Sequence, residues 1–136
     1  MGRDDPRGPR LSAVAHRDRT LPPERVDEIV GRLDAGAADR ADLKALTWHL
    51  LTLLTERAPG ASVEVRVPPF AVVQCVAGSR HTRGTPPAVV EMDARTWIDL
   101  ALGRVAWSEA TLRASGERSD LSALLPLVEA TGRPQR

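Results

Sequence analysis

The sequence predicts an α+β fold in which a small, mainly antiparallel sheet is covered by helices. Apolar residues recur at helical spacing over residues 24–33 and 39–57, and the apolar period changes to two from Ser62 onward. The later strand and helix segments do not alternate regularly, which argues against a doubly wound parallel fold. A chain of 136 residues with 42% hydrophobic and 27% charged residues has the size and composition of one globular domain.

Three regions are predicted along the chain. Charges, Pro and Gly alternate over residues 1–21, which predicts a disordered N-terminal arm. A single domain is expected over residues 22–130, followed by a flexible tail over residues 131–136. The five arginines of the arm could contact an acidic partner, but three aspartates dilute them and favour a solvated tail.

The long segment 39–57 carries the strongest helix pattern. Asp39 can cap its free amides, and Pro59 and Gly60 end it. Its apolar residues cover more than one stripe, so we expect this helix to be in contact on two sides, one of which could face a cavity.

Strands are expected over residues 63–67, 70–76, 88–92 and 112–115. The first alternates apolar and polar residues, which is typical of a half-buried strand. The second is apolar on both faces apart from Gln74, so it is expected to lie at the centre of the sheet.

Two further helices are predicted in the C-terminal half. Asp93 caps the first, and Gly103 ends it in a left-handed conformation. A short turn is expected at Trp107. Ser119 or Asp120 would cap a terminal helix, which Pro126 should kink or shorten because proline has no N–H to donate.

Composition argues against several classes of function. Nineteen basic residues against 18 acidic ones leave no excess positive charge for a dedicated nucleic-acid binder. The chain has no apolar run long enough for a membrane span and no apolar core for a signal peptide near its start. A single cysteine excludes an intramolecular disulfide, and a cytoplasmic protein is expected.

No metal or cofactor is expected, because the three histidines lie far apart and phosphate-binding and hydrolase motifs are absent. Cys75 could act as a nucleophile with His81 as its base, but its apolar strand favours a buried core thiol. His49 is expected to be a structural histidine. The tryptophans Trp48, Trp97 and Trp107 are expected mainly in the core, although large rings also line apolar pockets.

A basic loop is predicted over residues 78–87. Arg80, His81 and Arg83 could converge there on a carboxylate or phosphate, since guanidinium groups bind such anions with two parallel hydrogen bonds. Pairing with nearby acidic residues is an equally good interpretation.

The C-terminal half resembles the sterol-carrier-protein family, in particular its bacterial, actinobacterial-type branch. The resemblance is carried by the segments AVVEMD, TWIDLALG, VAWSEA, LRASG and DLSALLPLV, in that order. The segments VEVRVPPFAVVQCV and RHTRGTPP are also similar to the bacterial branch, so that the resemblance extends over about residues 26–128.

The resemblance implies a curved sheet and helices that enclose an apolar tunnel for an acyl chain, a sterol or a similar lipid, without covalent chemistry. By position, the tunnel would be lined by Trp48, Leu51, Phe70, Val72, Trp97, Leu100, Leu124 and Leu125.

The leading hypothesis is therefore a non-catalytic binder of a small apolar or acyl ligand, whose anionic head group could be oriented by the basic loop. The first alternative is a filled-core accessory or regulatory domain that docks a protein or a thiol cosubstrate through the same loop, since related folds occur as appendages of bacterial thiol-dependent isomerases. A weaker alternative is an enzyme that uses His81 with Cys75 or Asp93.

Overall fold

The structure is a computed structural model that describes residues 19–78 and 88–128. The predicted tail, the basic loop from Ser79 to Pro87 and most of the predicted arm lie outside the described residues. The elements, in chain order, are α1 (Pro23–Asp34), α2 (Arg40–Arg57), β1 (Val63–Val67), β2 (Ala71–Cys75), β3 (Ala88–Glu91), α3 (Ala94–Ala101), a 3-10 turn (Trp107–Glu109), β4 (Arg113–Ser115) and a second 3-10 turn (Ser122–Leu124).

The start of α2 is fixed by a reciprocal pair of hydrogen bonds. The backbone N–H of Asp42 donates to the carboxylate of Asp39 at 2.8 Å, and the N–H of Asp39 donates to the carboxylate of Asp42 at 3.2 Å. Two otherwise unsatisfied donors of the first turn are thereby paired, as the sequence predicted for Asp39.

Asp42 also joins α2 to α1. Its two carboxylate oxygens each accept a hydrogen bond of 2.8 Å from the guanidinium of Arg32, near the end of α1. This contact with Arg32 lowers the pKa of Asp42 from 3.8 to about 2, despite the opposing effect of burial.

The pKa of Asp42 predicts a loss of stability in acid. A carboxyl group whose pKa is lower in the folded state stabilises the fold above its unfolded pKa, and this contribution is lost as the pH falls from about 4 to about 2. Urea unfolding at about pH 5 and about pH 2.5 should therefore show a larger drop in unfolding free energy for the native chain than for Asp42→Asn. Equal drops in the two proteins would contradict this role for Asp42.

The four strands form one sheet in the order β2-β1-β3-β4. β1 pairs antiparallel with β2 and parallel with β3, and β3 pairs antiparallel with β4. Two of the three strand pairings are antiparallel, so the sheet is mixed, and it is open rather than closed on itself. Together with the three helices, this sheet confirms the α+β fold class.

The alternation predicted for β1 places its two kinds of side chain on opposite faces of the sheet. Val63, Val65 and Val67 are buried, whereas Arg66 is exposed and Glu64 is half-buried. The core therefore lies on the valine face, between the sheet and the helices.

The expected central position of β2 is wrong. Within the described part of the sheet, β2 lies at an edge and pairs only with β1. Val73 and Cys75 are buried, but Val72 is 53% exposed. The apolar composition of this strand misled the prediction because composition does not show whether a second layer covers the outer face.

The predicted terminal helix is also wrong. In its place the chain forms one 3-10 turn, and Leu125 then adopts an extended backbone with ψ 148°. A residue before proline is disfavoured in the helical region, and Pro126 has no N–H to donate. The amides of Leu127 and Val128 instead donate to the carbonyl of Ala101, at 2.9 and 3.2 Å.

Trp97 is the largest side chain in the core. It is fully buried, and its indole N–H donates to the backbone carbonyl of Thr47 at 3.3 Å. The contact joins α3 to α2, whose leucines Leu46, Leu50 and Leu54 are also fully buried.

Among the helices of the described chain, none combines the length and the apolar character that crossing a membrane requires.

Candidate functional site

A pocket of about 410 Å³ lies beside the end of α3, and we call it the α3 pocket. Apolar side chains from three segments converge on it, together with a few polar ones. Its lining residues are Leu100, Gly103, Arg104, Val105, Ala106, Trp107, Glu109, Ser122, Leu125 and Pro126.

One wall of the α3 pocket is the chain that leaves α3. Gly103 ends the helix at φ +78°, a left-handed conformation that glycine adopts without strain and that the sequence predicted. The chain then turns through Val105 to the 3-10 turn, where Trp107 is only partly buried. The prediction of a core position therefore holds for Trp97, whereas Trp107 faces the pocket.

The second wall is the segment 122–126, which replaces the expected helix. It meets the first wall at Gly103, where an added Cβ would lie only 3.2 Å from the Cβ of Pro126. The hydrogen bonds from Leu127 and Val128 to Ala101 attach the end of this wall to α3.

Arg57, the last residue of α2, binds the backbone of the second wall. Its guanidinium Nη1 donates to the backbone carbonyls of Leu124 and Pro126, at 2.9 and 3.0 Å. These two carbonyls flank Leu125, whose side chain lines the pocket. Arg57 therefore fixes the backbone on both sides of a lining residue without itself lining the pocket.

Removing this guanidinium should loosen the second wall. Arg57→Gln is expected to lower the unfolding free energy by about 1 kcal/mol and to speed amide hydrogen exchange at Leu125 and Leu127. Arg95→Gln is the charge-matched control, because Arg95 makes only an exposed ion pair with Asp99 within α3. Unchanged exchange at both amides in Arg57→Gln would show that Arg57 does not hold the wall.

The structure separates most of the residues predicted to line a tunnel. Leu100 and Leu125 lie together in the α3 pocket, and Leu124 is a partly buried neighbour of Leu125. Leu51 and Trp97 are fully buried in the core. Trp48 borders a different pocket, on α2. Phe70 lies in the turn before β2, beneath the guanidinium of Arg40. Val72 is exposed at the edge of the sheet. Arg80, His81 and Arg83 lie outside the described residues.

Sequence reasoning placed only Leu100 and Leu125 of this lining around a ligand, and it missed Gly103, Arg104, Val105, Ala106, Trp107, Glu109, Ser122 and Pro126. Gly103 ends a helix and is followed by the apolar residues Val105 and Trp107, which indicates that the chain turns back over the end of that helix. The pattern alone does not show which distant segment forms the opposite wall.

Cys75 and His49 have the structural roles that the sequence favoured. Cys75 is fully buried, and burial raises the pKa of its thiol to about 11, so that it is protonated at neutral pH. The Nδ1 atom of His49 accepts a hydrogen bond of 2.9 Å from the backbone N–H of Leu21, and burial lowers the pKa of the imidazole. Residues 19–78 and 88–128 contain no group of three or more His, Cys, Asp or Glu side chains that could hold a metal ion.

A family model described as bacterial SCP ortholog matches residues 39–127. The chain belongs to this family. Membership of the bacterial SCP ortholog family confirms the resemblance seen in the sequence and indicates a lipid-binding type of function. The matched residues run from the N-cap of α2 through both walls of the α3 pocket. No curated protein matches the chain significantly.

Proposed function

We propose that this protein binds a small apolar or acyl ligand in the α3 pocket, without catalysing a reaction. The observation that carries the proposal is the convergence of Leu100, Trp107, Leu125 and Pro126 on one opening of about 410 Å³. Small-molecule pockets generally measure about 300–1,000 Å³ and combine mainly apolar walls with a few polar groups. The family indicates the same class of ligand.

The lining is better suited to binding than to chemistry. The residues that line the pocket in the described chain include no histidine or cysteine. Arg104, the basic residue of the lining, donates two hydrogen bonds to the carboxylate of Asp34, at 2.5 and 3.3 Å. These features support a ligand held by buried apolar area, at roughly 25 cal/mol per Å².

Three tryptophans in distinct environments provide the test. In ¹⁵N-labelled protein titrated with dodecanoate or dodecanol, the indole resonance of Trp107 should shift, whereas that of the buried Trp97 should not. Leu125→Asp should reduce affinity at least about tenfold, because a charge would enter the apolar wall. Val72→Asp introduces the same charge at an exposed position and should bind normally.

Failure of the native chain to take up either probe would overturn the proposal. Equal binding by the native chain and Leu125→Asp would place any ligand elsewhere.

The loop that carries Arg80, His81 and Arg83 is the proposed position of an anionic head group. Arg83→Ala should weaken the binding of dodecanoate and leave that of dodecanol unchanged, since only the carboxylate can pair with a guanidinium. The two dissociation constants, measured side by side, decide this point. An Arg83→Ala protein with native affinity for both probes would exclude the head-group role.

One observation favours a second candidate function. Leu51 and Trp97, two of the residues expected around a tunnel, are fully buried in the packed core. A filled core supports an accessory or regulatory domain that docks a protein or a thiol cosubstrate through residues 80–83. Under this alternative neither dodecanoate nor dodecanol shifts the Trp107 resonance.

A further inference from the structure

A second pocket, of about 290 Å³, lies on the N-terminal half of α2, and we call it the Trp48 pocket. It is lined by Arg19, Leu21, Ala41, Lys44, Ala45 and Trp48. Lys44 precedes Arg57 by 13 residues on the same helix, which corresponds to about 20 Å along its axis. The Trp48 pocket is therefore separate from the α3 pocket and does not depend on the function proposed for it.

The segment before α1 forms one side of the Trp48 pocket. The hydrogen bond from the N–H of Leu21 to His49 attaches this segment to α2. Two residues earlier, the guanidinium carbon of Arg19 lies 3.8 Å from the centre of the Trp48 ring. Arg19 thus stacks on the aromatic ring at the edge of the pocket.

The pocket has the electrostatic character of an anion site. An arginine that stacks through its planar face keeps the N–H donors at its edge available for an anion. Lys44 lies one turn before Trp48, at i and i+4, so both project from the same face of α2. The lining contains these two cations and no acidic residue, and within the described chain Lys44 forms no ion pair.

The rest of the lining is apolar. Ala41 and Ala45 also lie at i and i+4, and their small side chains leave a depression between the larger groups. Leu21 and the partly buried Trp48 provide apolar sides. A ligand that fits this lining has a compact apolar body and one anionic group.

We propose that the Trp48 pocket binds a small amphiphilic carboxylate, with its apolar body against Trp48, Leu21 and the two alanines and its carboxylate between Arg19 and Lys44. The pocket is smaller than the α3 pocket and suits a ring-sized body rather than a long acyl chain. Sequence reasoning missed this site because it joins a segment expected to be disordered to a helix that begins 21 residues after Arg19.

The test compares a charged probe with its neutral analogue on the full chain. Titration with 4-phenylbutyrate should shift the indole resonance of Trp48 and leave those of Trp97 and Trp107 unchanged. The neutral alcohol 4-phenyl-1-butanol should bind about tenfold more weakly, since it cannot pair with the two cations. Added salt should weaken only the carboxylate.

Variants then assign the charge. Arg19→Gln and Lys44→Gln should each reduce affinity for 4-phenylbutyrate about threefold to fivefold, as expected for ion pairs near a surface. Arg25→Gln removes an exposed charge that is already paired with Glu28 in α1, and should bind like the native chain.

Three results would overturn the inference: no shift at Trp48, equal affinity for the acid and the alcohol, or native affinity in both Arg19→Gln and Lys44→Gln. Because dodecanoate binding is read at Trp107, a failure at one pocket leaves the result at the other intact.

Discussion

Gly60→Ala is expected to lower the free energy of unfolding by about 3 kcal/mol or more. Gly60 has φ +146°, and a Cβ at this position would lie 2.3 Å from both the carbonyl carbon and the carbonyl oxygen of Val76. These are backbone atoms, so no side-chain rotation can relieve the overlap. The connection between α2 and β1 would have to move away from the end of β2.

Such a movement is opposed by the hydrogen bonds around Val76. Its carbonyl accepts from the N–H and the hydroxyl of Ser62, at 3.0 and 2.7 Å, and its N–H donates to Ala58 at 2.6 Å. Val76 itself has φ +69°, which is rare for a β-branched residue. The contacts that hold Val76 in this conformation leave Gly60 no room for a side chain.

Gly31→Ala provides the matched control for Gly60→Ala. Gly31 lies inside α1, and an added Cβ would meet no atom within 4 Å. Alanine favours the helix over glycine, so this variant should gain about 0.5–1 kcal/mol. Urea unfolding curves for the two variants should therefore shift in opposite directions. If Gly60→Ala were as stable as the native chain, the backbone at Gly60 and Val76 would be able to move apart and accommodate a side chain.

Trp97→Ala is expected to lower the unfolding free energy by about 3–5 kcal/mol, a large share of the stability of a domain of this size. The substitution leaves a cavity between α2 and α3 and removes the hydrogen bond to the carbonyl of Thr47. If the core around Trp97 were loosely packed, the loss would be below about 2 kcal/mol.

Trp107→Ala, in contrast, should have a small effect on stability and a large effect on ligand binding. Trp107 is partly buried in a 3-10 turn and lines the α3 pocket, so its removal should cost less than about 2 kcal/mol of stability. It should nevertheless weaken dodecanol binding about tenfold. Urea unfolding and a dodecanol titration of both tryptophan variants provide the comparison. If Trp97→Ala and Trp107→Ala had equal effects on stability and on dodecanol affinity, the assignment of Trp97 to the core and of Trp107 to the pocket would be wrong.

Local sequence patterns predicted α1, α2, α3 and β1 well. Asp39 and Asp93 both act as N-caps, accepting from the amides of Asp42 and Thr96 at 2.8 Å. Gly103 ends α3 as expected. Capping and termination depend on residues within one or two turns of each other, so the local sequence contains the information that decides them.

The errors concern contacts between distant segments. The leucines after Asp120 have helical spacing, but the chain there forms the wall of a pocket because Arg57 and Ala101 bind its backbone. The apolar residues of β2 do not reveal that Val72 faces outward at a sheet edge. Spacing within a segment does not specify which distant groups will cover it.

The sequence by itself determined the α+β class, the bounds of α1, α2 and α3 to within a few residues, the family and the structural roles of Cys75 and His49. Only the tertiary structure showed that Leu100 and Leu125 share a pocket while Leu51 and Trp97 fill the core, and that Arg19 reaches Trp48. The physical reason is that caps and periodicity act over one to seven residues, whereas each pocket is the space left between segments about 25 to 29 residues apart in the sequence.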